Sequence, residues 1–160
     1  MRTLLLTLTV LASTLAQPPQ RPPDFDFRFE YGCWRDTLDT FRGEFLRSME
    51  AFAPPVSITL SVPPAMLDRV YQTVSAARFV EYPSTYHEPP TSEIALRFPA
   101  RYYFLDVRMD GVRHAVTWSE PVAPYTPAGR RLQDMFEKLI SIVEALPEVR
   151  RMPVPEWECL

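Results

Sequence analysis

Glycine is scarce in this chain: four residues of 160, against 18 prolines. So little glycine leaves few positions for a phosphate-cradling loop or a sharp catalytic turn. No phosphate loop, dinucleotide fingerprint or nucleophile elbow occurs. Histidine occurs twice, as His87 and His114, and neither has a second His or Cys at ligand spacing, which argues against a zinc site. Lysine occurs once, as Lys138, so the basic side is nearly all arginine, scattered as codon bias from a GC-rich genome would scatter it. The net charge is −3, and a domain of that balance has no electrostatic reason to seek nucleic acid or an anionic membrane surface. Long apolar runs are missing beyond the start of the chain, so no transmembrane segment is expected. Cysteine occurs twice, as Cys33 and Cys159.

The start of the chain has the layout of a secretory leader: Arg2, an apolar run Leu4–Leu15, and small residues at Thr14 and Ala16 where cleavage would read them. The run is too short to span a bilayer, which takes roughly 20 residues. Residues 1–16 are therefore expected to leave as a signal peptide, with a mature chain from Gln17 that is periplasmic or secreted. In an oxidising compartment two cysteines allow one disulfide, Cys33–Cys159, closing a loop worth about 4–5 kcal/mol in the chain-entropy model. Two unpaired thiols remain the alternative.

Gln17–Pro23 reads as a polyproline spacer, or as a ligand for an aromatic groove. From Asp24 the pattern is regular. Phe25, Phe27, Phe29 and Tyr31 alternate with Asp24, Asp26, Arg28 and Glu30, the period of a half-buried strand. Polar Arg35–Thr40 reads as a connection, Phe41–Met49 as a second strand weakened by Gly43, and Val56–Val62 as a third. Pro63-Pro64 suits a helix start, and Met66, Leu67, Val70, Tyr71 and Val74 set one apolar stripe ending near Ala77. Phe79–Tyr82 reads as a short extended piece, followed by an irregular segment Glu81–Glu93; Ile94–Phe98 reads as a further strand. Tyr102–Met109 and Val112–Ser119 flank Asp110-Gly111, the pair suited to a two-residue type I′ hairpin turn. That turn sets Met109 opposite Val112 and Val107 opposite His114. Thr126-Pro127 caps a second helix with the stripe Leu132, Met135, Phe136, Leu139, Ile140, Val143, Leu146 and a wet-side pair Asp134–Lys138; Pro147 ends it, and the tail 147–160 is expected to be extended.

The expected fold is α+β: a single two-layer domain over residues 24–146, an antiparallel sheet of about five to six strands covered on one face by two helices, in the order βββαβββα. Phe27, Ile58, Val107 and Phe136 are expected to meet in one interior.

For function, His114 falls mid-strand on the apolar face, where it is a core or sheet-edge residue or, alternatively, a base; no motif places a nucleophile beside it. His87 stands beside Glu88 in the Pro-rich loop. Asp24, Asp26 and Glu30 share one strand face, as solvent-facing charges or calcium ligands. Tyr82, Tyr86 and His87 sit among Pro83, Pro89 and Pro90, and with Tyr102 they form the candidate binding surface, since stiff aromatic loops bind at low entropic cost. The alternative is that the tyrosines fold back on the domain.

The pattern Tyr31-Gly32, Leu38-Asp39-Thr40-Phe41 with Gly43 and Met49, then Leu67-Asp68-Arg69-Val70-Tyr71 leading to Phe79 and Tyr82-Pro83, resembles an uncharacterised family of small bacterial exported or lipoprotein-type proteins. That resemblance implies export and no assigned activity. Lipoprotein members carry a cysteine just after the leader; this chain does not. The expected function is a non-catalytic exported binding module with a protein or envelope partner, no cofactor and no nucleic acid. The alternative is a small hydrolase-like enzyme built around His114 or His87.

Overall fold

The computed structural model describes residues 20–49, 53–89, 101–119 and 126–155. The expected leader at 1–16, the strand at 94–98 and Cys159 lie outside the described residues.

Alternation makes the first strand. In β1 (Asp26–Gly32) every second side chain is buried, with Phe27 and Phe29 fully enclosed. The hairpin follows its turn residues: Asp110 and Gly111 both take positive φ, +52° and +73°, as a type I′ turn demands. Strands β6 (Tyr102–Met109) and β7 (Val112–Ser119) then pair in the expected register, Val107 with His114 and Met109 with Val112. Helix α1 (Pro64–Ala76) starts on proline. Helix α2 (Pro127–Glu144) starts on proline behind Thr126, whose hydroxyl accepts from Gly129 N–H at 3.0 Å.

The class is α+β, and the detail differs from the expectation. Among the described residues the sheet has seven strands, in the order β4 (Val56–Thr59), β3 (Glu44–Arg47), β2 (Asp36–Asp39), β1, β6, β7, β5 (Thr85–Tyr86). The polar stretch taken for a connection holds β2 (Asp36–Asp39), paired with β1. The expected strand over 41–49 shrinks to β3 (Glu44–Arg47), and the third to β4 (Val56–Thr59). Phe79–Glu81 is a 3₁₀ turn rather than an extended piece. Thr85–Tyr86 forms β5, parallel to β7, so the sheet is mixed. The second helix stops at Glu144, just before Pro147 as expected, but the tail is not extended from there. The missing N–H of Pro147 costs nothing at a first helical position, so this residue opens α3 (Pro147–Arg150), which sends Val149 and then Met152 into the core. The spacer also touches the domain: Pro22 is buried, and Arg21 Nε donates to Asp68 at 2.7 Å.

Both long helices cover one sheet face. Phe136 of α2 stacks on Phe29 at 5.8 Å, Tyr103 at 4.8 Å and Trp118 at 5.9 Å, and Tyr71 of α1 meets Phe25 edge-on at 5.4 Å. Full burial of a ring such as Phe136 contributes about 2–3 kcal/mol. Phe27, Val107 and Phe136 are fully buried together and Ile58 packs against the same cluster, as expected. Both sheet edges are short. β5 has two residues, and β4 follows Pro54-Pro55, which limits edge-to-edge pairing.

Candidate functional site

The loop tyrosines fold back on the domain. Tyr82 is 6% exposed and donates its hydroxyl to the Ala128 carbonyl at 2.8 Å. Its ring meets Tyr86 edge-on at 5.3 Å, and the Tyr86 hydroxyl lies 3.0 Å from Thr126 Oγ1. Glu88 completes the set: its carboxylate accepts from Thr126 N–H at 3.1 Å. A Cβ on Gly129 would sit 1.4 Å from Glu88 Oε1, so glycine makes room for this carboxylate at the start of α2. His87 is exposed between them. Tyr102 is elsewhere. It lies on the sheet's other face under the Arg35 guanidinium, 4.0 Å from the ring centroid, whereas Tyr86 follows the core-facing register of Trp118. The four residues expected to form one surface are therefore split between a clamp on α2 and the open sheet face.

Among the described residues neither histidine is joined to a second catalytic side chain. His114 packs edge-on against Phe79 at 5.4 Å, its Nε2 buried without a hydrogen-bond partner. Among the described residues no carboxylate is bonded to either histidine. The strand acids are also engaged. Asp24 accepts from the N–H groups of Asp110 at 2.9 Å and Gly111 at 2.8 Å, and these bonds, Gly111 foremost, hold its carboxyl below the usual aspartate range. Asp26 bonds Arg108 at 2.5 Å and Glu30 bonds Arg28 at 2.7 Å. Among the described residues no three metal-ligating side chains converge.

The open sheet face is a lattice of matched charges. Arg28 stands in register between Asp39 and Asp106, which are 3% and 4% exposed. Asp106 accepts from Arg113 at 2.9 and 2.5 Å. Phe41, from the β2–β3 turn, lies against the Arg108 and Arg113 guanidiniums at 5.4 and 5.1 Å.

A second matched cluster closes one end of the domain. Arg47, 8% exposed, ends β3 on the helix-covered face. It donates to Asp36 at 2.8 Å and to both oxygens of Glu144 at 3.1 and 3.0 Å. The Tyr31 hydroxyl donates to Glu144 as well. Burial, reinforced by the Glu144 charge, pushes the Tyr31 phenol far above its ordinary pKa, so it stays a donor. Burial also raises Asp36, against the opposing pull of Arg47. A cavity of about 260 Å³ adjoins this clasp, lined also by Cys33, Trp34, Arg101 and Val154. Its guanidinium and carboxylates face one another, which is a lock between strands and helix rather than a poised acid–base pair.

Another concavity is different in kind. Side by side, α1 and α2 leave a groove of about 510 Å³ on their outward side. Arg69, Gln72, Thr73 and Ala76 line it from α1, and Arg131, Asp134, Lys138 and Ser141 from α2, with the buried Met135 and Ile142 at its floor. Three cations there face one carboxylate. The expected Asp134–Lys138 pair does not form, and among the described residues Arg69 and Lys138 enter no ion pair. Arg131 lies beside the Tyr82 hydroxyl, where its charge counteracts the rise that burial gives the phenol pKa. Of these residues the sequence marks only Asp134 and Lys138, as a wet-side pair. The signal for the wider set was the spacing Arg131, Asp134, Lys138, Ser141, one stripe of a helix, but the meeting of two such stripes has no local mark.

No family model matches the chain, and no curated protein matches it.

Proposed function

We propose that this chain is an exported, non-catalytic binding domain, periplasmic or extracellular, whose partner is a protein or envelope component. The observation that carries the reading is the unmatched charge of the α1–α2 groove. Elsewhere the buried and half-buried acids are committed: Asp36 and Glu144 to Arg47, Asp106 to Arg113, and Asp39 to the Arg42 N–H at 3.1 Å. A catalytic carboxylate needs a face turned to substrate, and these are turned to their own arginines and backbone. Export is supported by the leader pattern and by the resemblance to exported proteins.

We also propose the disulfide Cys33–Cys159, which would fasten the tail beside the clasp. The support is that the chain has two cysteines, which in an oxidising compartment allow this one pairing. Uptake of two thiol labels without reductant, read by mass spectrometry, would exclude it.

The binding reading is tested by affinity capture from the envelope fraction of the native host, with the full mature chain as bait. A partner recovered in stoichiometric amount through washes at physiological salt is expected. Recovery no greater than on a mock bait, or turnover of an envelope substrate by the purified chain, overturns it.

A further inference from the structure

We infer that the groove between α1 and α2 receives an acidic, amphipathic segment of a partner protein, an inference that rests on the binding-domain reading above. The groove sets the chemistry. Arg69 on α1 and Arg131 and Lys138 on α2 are exposed along its walls, and one acid, Asp134, shares them. Arg131 and Lys138 are two helical turns apart, roughly 10 Å along the axis. A helical segment with carboxylates at i and i+7, or at i, i+3 and i+7, presents negative charge at the same interval. Between the cations runs an uncharged strip, Ala76, Met135 and Ile142, against which short apolar side chains of the same segment can lie. Alternating carboxylate and apolar groups is the pattern of an amphipathic acidic peptide.

Other polyanions fit less well. A bilayer surface is broad and cannot enter a groove between two helices. A sulfated polysaccharide or nucleic acid brings dense charge and little apolar surface, so Asp134 would repel it and the floor would stay unused. A peptide can instead turn a backbone N–H or a hydroxyl toward Asp134.

The test is an NMR titration of the full mature protein with three probes. These are a synthetic helical peptide of about 16 residues, or ~24 Å, with Glu and Leu on opposite faces; a heparin oligosaccharide; and vesicles containing one third phosphatidylglycerol. The peptide is expected to shift amide resonances of α1 and α2 around the groove at concentrations up to about 1 mM, where even a binding energy of roughly 4 kcal/mol is detected. Arg69→Glu/Lys138→Glu is expected to weaken it about tenfold or more. Arg130→Glu/Arg150→Glu, with the same charge change outside the groove, is expected to leave it nearly unchanged. No shifts, shifts elsewhere, equal loss in both variants, or groove binding by heparin or vesicles alone would overturn the inference. None of these touches the broader reading, which stands or falls on the envelope capture.

Discussion

Arg47 and Lys138 are both cations beside α2, and the fold treats them in opposite ways. Arg47 is buried between Asp36 and Glu144, its charge answered on two sides. Lys138, six residues before that glutamate's own helix ends, stands in a groove with more positive than negative groups. A buried charge must be matched or the fold does not form, because desolvation costs several kcal/mol per ion. An exposed charge in high dielectric costs little, and folding does not demand a partner for it. Matched charge here is therefore architecture. Unmatched charge, gathered in a concave place, is left over for something else.

The largest expected effect is at the clasp. Arg47→Met keeps the packing volume but leaves Asp36 and Glu144 side by side without a counter-charge. A loss of about 3 kcal/mol is expected in urea unfolding, at the low end for a broken buried pair because Glu144 is partly exposed and can turn to water. Arg47→Met/Asp36→Asn/Glu144→Gln should recover a good part of it, since the cost lies in the orphaned charges rather than the lost contacts. If the single variant loses under about 1 kcal/mol, the clasp is no more structural than the groove, and the contrast between them fails.

This contrast also marks what the sequence could show. The hairpin was legible to the residue, because Asp110-Gly111 fixes the turn and the turn fixes all eight cross-strand pairs. Both long helices were legible from period and proline. β2 was not: its four residues include one apolar side chain, Leu38, so a strand held by its neighbours looked like a loop. Phe41 misled in the other direction, an aromatic that suggested a core strand but rests against arginines on the open face. The clasp joins residues 97 positions apart, and the tyrosine clamp joins a loop to a helix 46 residues on. Neither leaves a periodic trace. The tyrosines' aromatic, Pro-flanked setting suits an outward binding loop and an inward clamp equally, and only burial separates the two.

A second experiment sharpens the clasp side. Burial places the folded-state pKa of Asp36 above its unfolded value, while the backbone bonds at the hairpin turn place that of Asp24 below. The signs are opposite. The contribution of Asp36 is fully present below its unfolded pKa and is lost as pH rises through the raised folded value. That of Asp24 is present above its unfolded pKa and is lost as pH falls through the lowered one. Carboxyl-carbon NMR is expected to find Asp36 titrating above the usual aspartate range and Asp24 below it, and Arg47→Met should move Asp36 further up. An Asp36 midpoint at or under the usual value would mean that the guanidinium outweighs desolvation.

The smallest effect belongs to the groove, and its smallness is the point. Arg69→Gln and Lys138→Gln remove exposed charges that no acid answers. Each is expected to change unfolding stability by less than about 0.5 kcal/mol, and the pair together should add without coupling. Relief of mutual repulsion would even make the double variant slightly more stable, and raising salt should erase that gain. A loss above about 1 kcal/mol from either would show a hidden structural partner for that cation and return the groove to the architecture. Near-neutral stability combined with lost peptide binding is the signature of residues the fold does not need, held where a partner can reach them.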